Sequence, residues 1–325
     1  MSNPLLDVKN LKKYFPVKTG FGKKQYVKAV DDVSFTVSAG ETVSIVGESG
    51  CGKSTTGRAI MQLDPATAGQ ITFNGIDLMK LSKSALRKTR GDMQMIFQDP
   101  FASLNPRQTV YQVLNEVMQI QGIGENGKRR ERIKELMDAV GLLPHQIDLL
   151  PHQFSGGQRQ RIGIARALAA EPKLIVCDEA VSALDVSIQA QVLNLLKDLQ
   201  KRFDLTYLFI SHDLGVVRHI SDKIIVMYLG KIMEISDSEA LFNNPRHPYT
   251  KSLLSAIPTI DFDNRKEKII LQGDVPSPLN PPTGCPFHTR CPYVIEACKL
   301  TVPTVTPLED DVNHGVACIR VKELV

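Results

Sequence analysis

Long apolar runs are missing from this sequence, and that absence argues against an integral membrane protein. No stretch approaches the roughly 18 consecutive apolar residues of a membrane-spanning helix. The N-terminal segment MSNPLLDVKNLKKYF also has no apolar core of signal-peptide length. We therefore expect a cytosolic chain that reaches a membrane only through a partner.

Cysteine is scarce as well, with six residues in a chain of 325. Two of them, Cys51 and Cys177, lie far apart, whereas the other four are gathered near the C-terminus: Cys285, Cys291, Cys298 and Cys318. A reducing cytosol argues against a disulfide framework. The clustered cysteines are therefore candidate metal ligands.

A strong excess of either charge is also absent, since the formal net charge is only +4. The densest basic run, GKRRER at 127–132, leads into a helical pattern. It is better interpreted as the solvated face of a helix than as a nucleic-acid site. Internal repeats and low-complexity tracts are missing too. The hydrophobic content of 42% is ordinary for a soluble globular protein, and the length allows one large domain and a smaller one.

Short β-branched runs alternate with helical patterns along much of the chain. The helical pattern at 185–203 has an apolar face, and residues 103–150 form a predicted helical insertion. The predicted strands are 34–37, 42–47, 94–97, 173–178, 206–211 and 223–230. This alternation favours an α/β fold with a largely parallel sheet.

The segment GESGCGKST matches the phosphate-binding pattern G-x-x-x-x-G-K-[ST] between a predicted strand and a predicted helix. The alternative is a glycine-rich turn that binds nothing. Lys53 is expected to neutralise the β- and γ-phosphates of a nucleotide, and the Ser54 hydroxyl to coordinate Mg²⁺. The predicted ATP-binding residues of this loop are Gly47, Glu48, Ser49, Gly50, Cys51, Gly52, Lys53, Ser54 and Thr55.

Acidic and histidine side chains follow two later strands. In LIVCDE, the strand is expected to deliver Asp178 to Mg²⁺ and Glu179 to a water molecule. Cys177 within that strand is expected in the core, and Cys51 is expected to be a small filler. His212 follows the strand at 206–211; its alternative roles are a helix cap or a core histidine.

The segment FSGGQRQRIGIARAL predicts a second anion-binding helix terminus. Ser155 is a good N-cap, and Gly156 and Gly157 expose backbone N–H groups where the helix begins. The chain has only one phosphate-binding loop, and one nucleotide does not obviously need both sites.

These motifs resemble those of ATP-binding cassette (ABC) ATPases over roughly residues 5–257. FSGGQ is similar to that family's signature motif, with phenylalanine in place of the usual leucine. The resemblance assigns Gln98 to the Q-loop, His212 to the switch histidine, and Phe15, beside Tyr14, to adenine stacking. It assigns two further groups: the signature residues Phe154, Ser155, Gly156, Gly157 and Gln158, and the D-loop residues Ser182, Ala183, Leu184 and Asp185.

The resemblance implies an α/β P-loop NTPase fold, with a RecA-like core, an antiparallel β part and a helical subdomain, followed by a small C-terminal domain. It implies that two cassettes close head to tail, so that the signature helix of one caps the γ-phosphate held by the other. Glu179 would act as general base, with Gln98 and His212 as γ-phosphate sensors. The implied Mg²⁺ ligands are Ser54, Gln98 and Asp178.

Further segments resemble ATPases of oligopeptide and dipeptide importers: VKAVDDVSF, NPRHPYTKSLLSAIP and GDVPSPLNPPTGCPFHTRCP. This resemblance implies two membrane permeases, a second ATPase subunit (a heterodimer or a homodimer) and an extracytoplasmic peptide-binding protein. It places the chain at the cytoplasmic face of the cell membrane. Relatives that carry nickel, glutathione or another small solute share the tail. Two alternative hypotheses for the function are a soluble ABC ATPase of DNA repair or translation and a non-catalytic regulatory subunit.

We expect a cassette at 1–258, with a helical subdomain at about 103–155, and a C-terminal domain at 259–325. The cysteine spacing there, x5, x6 and x19, has no tight zinc pair. A helix opening at Pro292 would place Cys291 and Cys298 about 10 Å apart along its axis. The family resemblance implies a [4Fe–4S] cluster at the four cysteines. Zinc and free thiols in a packed domain remain alternatives.

Overall fold

The computed structural model describes residues 3–18, 24–99, 103–125, 127–257 and 269–324. The chain folds into two compact units. The first comprises Met1–Val37, Thr42–Met79 and Ser211–Val325, and the second comprises Ser38–Glu41 and Lys80–Ile210.

The strands and helices are numbered in chain order. The strands are β1 (Leu6–Lys18), β2 (Lys24–Val37), β3 (Thr42–Val46), β4 (Ala68–Phe73), β5 (Ile76–Asp77), β6 (Met93–Ile96), β7 (Leu174–Asp178), β8 (Thr206–Ile210), β9 (Lys223–Tyr228), β10 (Lys231–Asp237), β11 (Thr306–Pro307) and β12 (Gly315–Val316). The α-helices are α1 (Lys53–Ile60), α2 (Lys83–Thr89), α3 (Val110–Gln121), α4 (Arg129–Ala139), α5 (Gly156–Leu168), α6 (Val186–Phe203), α7 (Leu214–Ile220), α8 (Ser238–Asn243), α9 (Pro248–Ser255) and α10 (Glu296–Leu300). Short 3₁₀ turns cover Leu78–Lys80, Pro144–Asp148 and Pro151–Gln153.

An antiparallel sheet in the first unit has the strand order β2-β1-β4-β5. The pairing of β1 with β2 shifts register between Val8 and Leu11. Asn10 and Asp32 both adopt positive φ there, at 48° and 67°, and the Asn10 side chain donates a hydrogen bond to Asp32 Oδ1 at 2.9 Å. Local side-chain bonding of this kind makes Asn and Asp tolerant of left-handed backbone.

A second sheet region of the first unit contains β3, β9, β10, β12 and β11 in that order. β3 runs parallel to β9, whereas β9 and β10 are antiparallel. All five residues of β3 are buried, as expected for a strand covered on both faces. The C-terminal segment, residues 269–324, adds to this region because β12 pairs with β10.

The second unit combines three parallel strands with helices. β7 lies between β6 and β8, and both pairings are parallel. The helix α6 buries Val192, Leu193, Leu196 and Leu199, largely the face that its periodicity predicts. Helices α3 and α4 lie within the predicted helical insertion.

The predicted α/β class with parallel strands is thus confirmed in each unit, but one predicted element is wrong. The chain does not form a helix from Pro292, because it makes turns there and α10 begins only at Glu296. The expected domain boundary between residues 258 and 259 lies outside the described residues. Within the described part of the chain, no helix is both long and apolar enough to cross a bilayer.

Candidate nucleotide-binding and catalytic residues

The loop from Gly47 to Thr55 connects the buried strand β3 to α1. Gly47 has φ 149°, and a Cβ atom there would lie 2.2 Å from the Met227 carbonyl oxygen. Gly52 has φ 105°, and its Cβ would lie 2.1 Å from the Ala29 carbonyl oxygen. Both contacts are far shorter than van der Waals separation, so only glycine fits at these two positions.

Lys53 lies folded beneath this loop and is 4% exposed. Its Nζ donates to the carbonyl oxygens of Gly47 at 2.8 Å and Glu48 at 3.0 Å. Two main-chain oxygens thus hold the buried ammonium group at the loop. Ser54 and Thr55 follow in the first turn of α1, half-buried. The arrangement places a cation and a helix N-terminus together, as phosphate binding requires.

Cys51 and Cys177 are both buried, as expected. Burial raises the pKa of both thiols, so neither has the character of a reactive thiolate. The Cys51 carbonyl oxygen accepts a hydrogen bond from Gly230 N at 2.9 Å. Cys51 therefore fills space and anchors the loop.

Two predicted catalytic residues of the second unit lie in direct contact. Gln98 Nε2 donates to Glu179 Oε2 at 2.8 Å. Glu179 follows the end of β7 with φ 48°, and its backbone N–H donates to the Ile210 carbonyl at 2.9 Å. Non-glycine residues in left-handed backbone cluster at functional sites. Asp178, half-buried at the last position of β7, directly precedes this turn.

Side-chain hydrogen bonds to backbone carbonyl oxygens hold the predicted D-loop and the residues before it. Ser182 Oγ donates to the Glu179 carbonyl at 2.9 Å. Gln189 Nε2 donates to the carbonyl oxygens of Val181 and Leu184, both at 3.0 Å. Ala183 and Asp185 are exposed. The loop that follows Glu179 is thus fixed from the first turn of α6.

The predicted N-cap of the signature helix is confirmed. Ser155 Oγ accepts a hydrogen bond from Gln158 N at 3.4 Å, and Gln158 Oε1 accepts one from Ser155 N at 3.0 Å. Phe154 is buried at 3% exposure, which fixes where the helix begins. A Cβ on Gly157 would lie 2.6 Å from Ile188 Cγ2. The capping box and the close packing together define this helix terminus.

His212 is exposed and is neither a core residue nor a helix cap. Asp213 caps α7 instead, with its Oδ1 accepting from the N–H groups of Gly215 and Val216. The N–H of Ser211 donates to the Ile45 carbonyl oxygen at 3.2 Å. This bond holds the residue before His212 beside the strand that leads into the phosphate-binding loop.

Phe15 lies half-buried in β1, opposite Val27. The ammonium of Lys13 is 4.8 Å from its ring centroid. The neighbouring Tyr14 donates a hydrogen bond to Asp31 Oδ1 at 2.5 Å. Burial and this bond raise the pKa of Tyr14. The adenine-stacking role of Phe15 stays a prediction.

The four C-terminal cysteines line one cavity, together with Phe287 and His288 among others. The enclosed space is small, about 20 Å³. Burial, reinforced by the neighbouring thiols, raises the pKa of Cys285 to about 11. Burial also raises the pKa of Cys291 and Cys318. Among the residues described, no group of three or more His, Cys, Asp or Glu side chains is placed to hold a metal ion.

Sequence reasoning missed two residues that contact the phosphate-binding loop. Arg290 forms an ion pair with Glu48, and Tyr249 accepts a hydrogen bond from the Glu48 N–H. Arg290 lies 242 positions from Glu48 in the chain. A single charge pair over that separation produces no periodicity or motif spacing in the sequence, so it cannot be predicted from the sequence.

Two family descriptions match different parts of the chain. "ABC transporter" matches residues 30–182, and "Oligopeptide/dipeptide transporter, C-terminal region" matches residues 233–298.

Curated relatives match along nearly the whole chain. A putative peptide import ATP-binding protein of Brucella ovis is 55% identical over 317 residues, which is 98% of each protein. The oligopeptide transport ATP-binding protein AppF of Bacillus subtilis is 53% identical over 97% of this chain and 96% of its own length.

Solved structures of cassettes are also similar. The ATP-binding cassette MJ0796, in a dimeric post-hydrolysis state bound to ADP and Pi, has a TM-score of 0.63 and 31% identity. This match covers 72% of our chain and 98% of MJ0796. CbiO1 of Clostridium perfringens, part of the transporter complex cbiONQ, has a TM-score of 0.64 and 25% identity, over 75% of our chain and 92% of its own. The predicted cassette fold is therefore confirmed.

Proposed function

This chain belongs to the ABC transporter family, among ATP-binding proteins named for peptide import, and we propose that it hydrolyses ATP to energise peptide import. The observation that carries the ATPase role is the loop from Gly47 to Thr55. There, forced glycine conformations and the buried Lys53 build a phosphate site at the start of α1. Support for peptides as the solute comes from relatives that match 97–98% of the chain and from the family match to its C-terminal region.

In the proposed reaction Lys53 binds the β- and γ-phosphates and the loop N–H groups hold the remaining oxygens. Phe15 stacks on the adenine. Glu179 orients the attacking water and accepts its proton. The water oxygen bonds to the γ-phosphorus as the bond to the bridging oxygen breaks, which releases ADP and phosphate. Gln98 positions the Glu179 carboxylate through their hydrogen bond.

Mg²⁺ fits the oxygen donors that this chain offers. The Ser54 hydroxyl, the Gln98 amide oxygen and the Asp178 carboxylate are hard ligands of the kind that Mg²⁺ prefers. Gln98 directs its amide nitrogen toward Glu179, so its oxygen is the atom that would bind the ion. When bound, Mg²⁺ neutralises charge on the phosphate oxygens.

The capped N-terminus of α5 serves a second ATPase subunit in this proposal. Its first residues, Gly156 and Gly157, present N–H groups to the γ-phosphate of the nucleotide held by that subunit, with Ser155 as the cap. The D-loop residues 182–185 are the further contact with the partner, and His212 senses the γ-phosphate. Two permeases at the cytoplasmic face of the membrane and an extracytoplasmic peptide-binding protein complete the importer.

The C-terminal cysteines are proposed to hold a [4Fe–4S] cluster. Support comes from the placement of four thiols around one cavity, Cys285, Cys291, Cys298 and Cys318, which is the donor set of such a cluster. The four thiols would lose their protons on binding the cluster. The role is structural, and we place it in a C-terminal domain at 259–325.

The proposal is tested by purifying the tagged chain with its membrane partners and measuring uptake. We expect integral permeases to co-purify, and the reconstituted complex to take up radiolabelled peptides only with ATP and the binding protein. Uptake of nickel or glutathione instead of peptides would overturn the assignment of peptides as the transported solute. Stable association with ribosomes or DNA, without permeases, would overturn the transport role.

A further inference from the structure

The C-terminal segment reaches back to the phosphate-binding loop through one arginine. Arg290 Nη1 lies 2.8 Å from Oε2 and 3.1 Å from Oε1 of Glu48, the second residue of that loop. The side chain of Arg290 is 10% exposed and that of Glu48 is 26% exposed. The backbone N–H of Glu48 donates to Tyr249 Oη at 3.0 Å. Both the side chain and the backbone of Glu48 are therefore held by residues that follow the cassette motifs.

Arg290 rests on a rigid aromatic cluster. Tyr228, Tyr249 and Phe287 are fully buried, with ring centroids 4.8 to 5.4 Å apart. The Arg290 guanidinium carbon lies 5.9 Å from the Tyr228 centroid, and Arg290 N donates to the Phe287 carbonyl at 3.0 Å. These contacts fix the backbone and the guanidinium of Arg290, so the ion pair does not depend on a mobile side chain.

The buried position of Arg290 carries an energetic cost, and the packing of its side chain does not explain why that cost is tolerated. Its Nε is buried without a hydrogen-bond partner among the described residues. A buried donor without a partner is unfavourable, and such sites call for a reason.

The charge of Glu48 explains why Arg290 is buried at this position. Its carboxylate lies within a loop that must accept a polyanionic phosphate chain, next to the carbonyl that Lys53 contacts. An unpaired carboxylate there would repel the phosphates. Because Arg290 cancels that charge, the charge of Lys53 remains available to the nucleotide.

We propose that Arg290 is a positioning residue for nucleotide binding: it neutralises and holds Glu48, so that the affinity of the loop for ATP depends on the C-terminal segment. This inference rests on the proposed ATP-binding role of the loop. It goes beyond that role by giving the C-terminal segment a part in nucleotide affinity.

The test is a double-mutant cycle on the purified full-length chain, with ATP affinity measured by calorimetry. We expect Arg290→Gln to raise the Kd for ATP about tenfold, equal to about 1.4 kcal/mol. Adding Glu48→Gln to that variant should recover most of the loss, since it removes the unpaired charge. Glu48→Gln alone completes the cycle. In steady-state hydrolysis by the assembled transporter, Arg290→Gln should raise KM for ATP with little change in kcat.

A matched control is Lys299→Gln, which removes a cation from an exposed ion pair of the same segment. Its Kd for ATP should equal that of the wild type. An unchanged Kd in Arg290→Gln would overturn the proposal, as would a loss that Glu48→Gln does not relieve. If the wild-type chain itself binds no ATP, the proposed function fails instead.

Should Arg290→Gln not fold, Arg290→Lys takes its place, because lysine keeps the charge but loses the planar fork. We expect a Kd about threefold higher, again relieved by Glu48→Gln. A Kd equal to that of the wild type, or one that Glu48→Gln does not lower, would count against the proposal. Thermal melts of each variant separate lost affinity from lost folding.

Discussion

Gln98 and Glu179, 81 positions apart, are joined by a hydrogen bond of 2.8 Å from the amide Nε2 to the carboxylate Oε2. The bond holds the carboxylate of Glu179, the proposed general base. The backbone of Glu179 is itself in a strained, left-handed conformation. Orientation of the carboxylate therefore comes from side chain and backbone together.

The first prediction concerns the proton acceptor. Glu179→Gln removes the basic carboxylate but keeps the size of the side chain, so we expect ATP turnover to fall about 100-fold or more. ATP binding should persist, since Lys53 and the loop are untouched. Phosphate release and calorimetry measure the two quantities. Glu171→Gln, at an exposed acid that also adopts positive φ, is the control. Undiminished turnover in Glu179→Gln would contradict the role.

The second prediction concerns glycine in the phosphate-binding loop. Gly52→Ala should lower the free energy of unfolding by more than about 3 kcal/mol, because it combines left-handed strain with a 2.1 Å clash against a carbonyl oxygen. Gly75→Ala is the matched control: it has φ 78° but open space around its Cβ. We expect it to cost only about 1 kcal/mol. Urea unfolding compares the two, and equal costs would show that the clash is absent.

The third prediction concerns pH. His247 is 1% exposed, and burial lowers its pKa from 6.5 to about 4. The unfolded chain therefore binds a proton between about pH 6.5 and 4 that the folded chain does not. Stability is intact above pH 6.5 and falls as pH drops through that window, by about 3 kcal/mol in total.

His247→Asn should flatten this dependence, since asparagine also accepts a hydrogen bond at the N-cap of α9 and does not titrate. Urea midpoints measured from pH 7.5 to 4.5 give the slope. His145→Asn, at an exposed position, should keep the wild-type slope. If His247→Asn also kept the wild-type slope, the pH dependence of stability would have to come from groups other than His247.

The fourth prediction concerns the cysteine cavity. Anaerobically purified protein should contain iron and sulfide and absorb visible light, and Cys318→Ser should lose most of both. Cys177→Ala, at a thiol buried in β7, should keep its iron. A colourless and iron-free protein with a folded C-terminal segment would rule the cluster out; zinc in its place would support the alternative ion.

Much of the cassette could be predicted because its signals are local. The parallel strands are buried on both faces and have continuous apolar sequences, so β3 and β7 can be predicted together with the loops that follow them. The N-cap of α5 followed from Ser155 and its two glycines. Each of these inferences needed only neighbouring residues.

The misses arose where distant residues decide the structure. Pro292 is a good first residue for a helix, yet the helix begins at Glu296. The segment between them instead makes turns, with Val294 N bonded to the Cys291 carbonyl. The pairing of Arg290 with Glu48 is set by three-dimensional packing and cannot be read from spacing. The buried contact of His314 with Glu234, at 2.6 Å, is of the same kind.

The pairing of β12 with β10 has a consequence for how such proteins can be dissected and recombined. The C-terminal segment completes a sheet region that also contains β3, and its Arg290 balances a charge in the nucleotide loop. A cassette cut at residue 258 would expose the edge of β10 and leave Glu48 without its counter-charge. The tail is thus not an interchangeable module: a graft from another protein would succeed only if it restored both an edge strand and a cation.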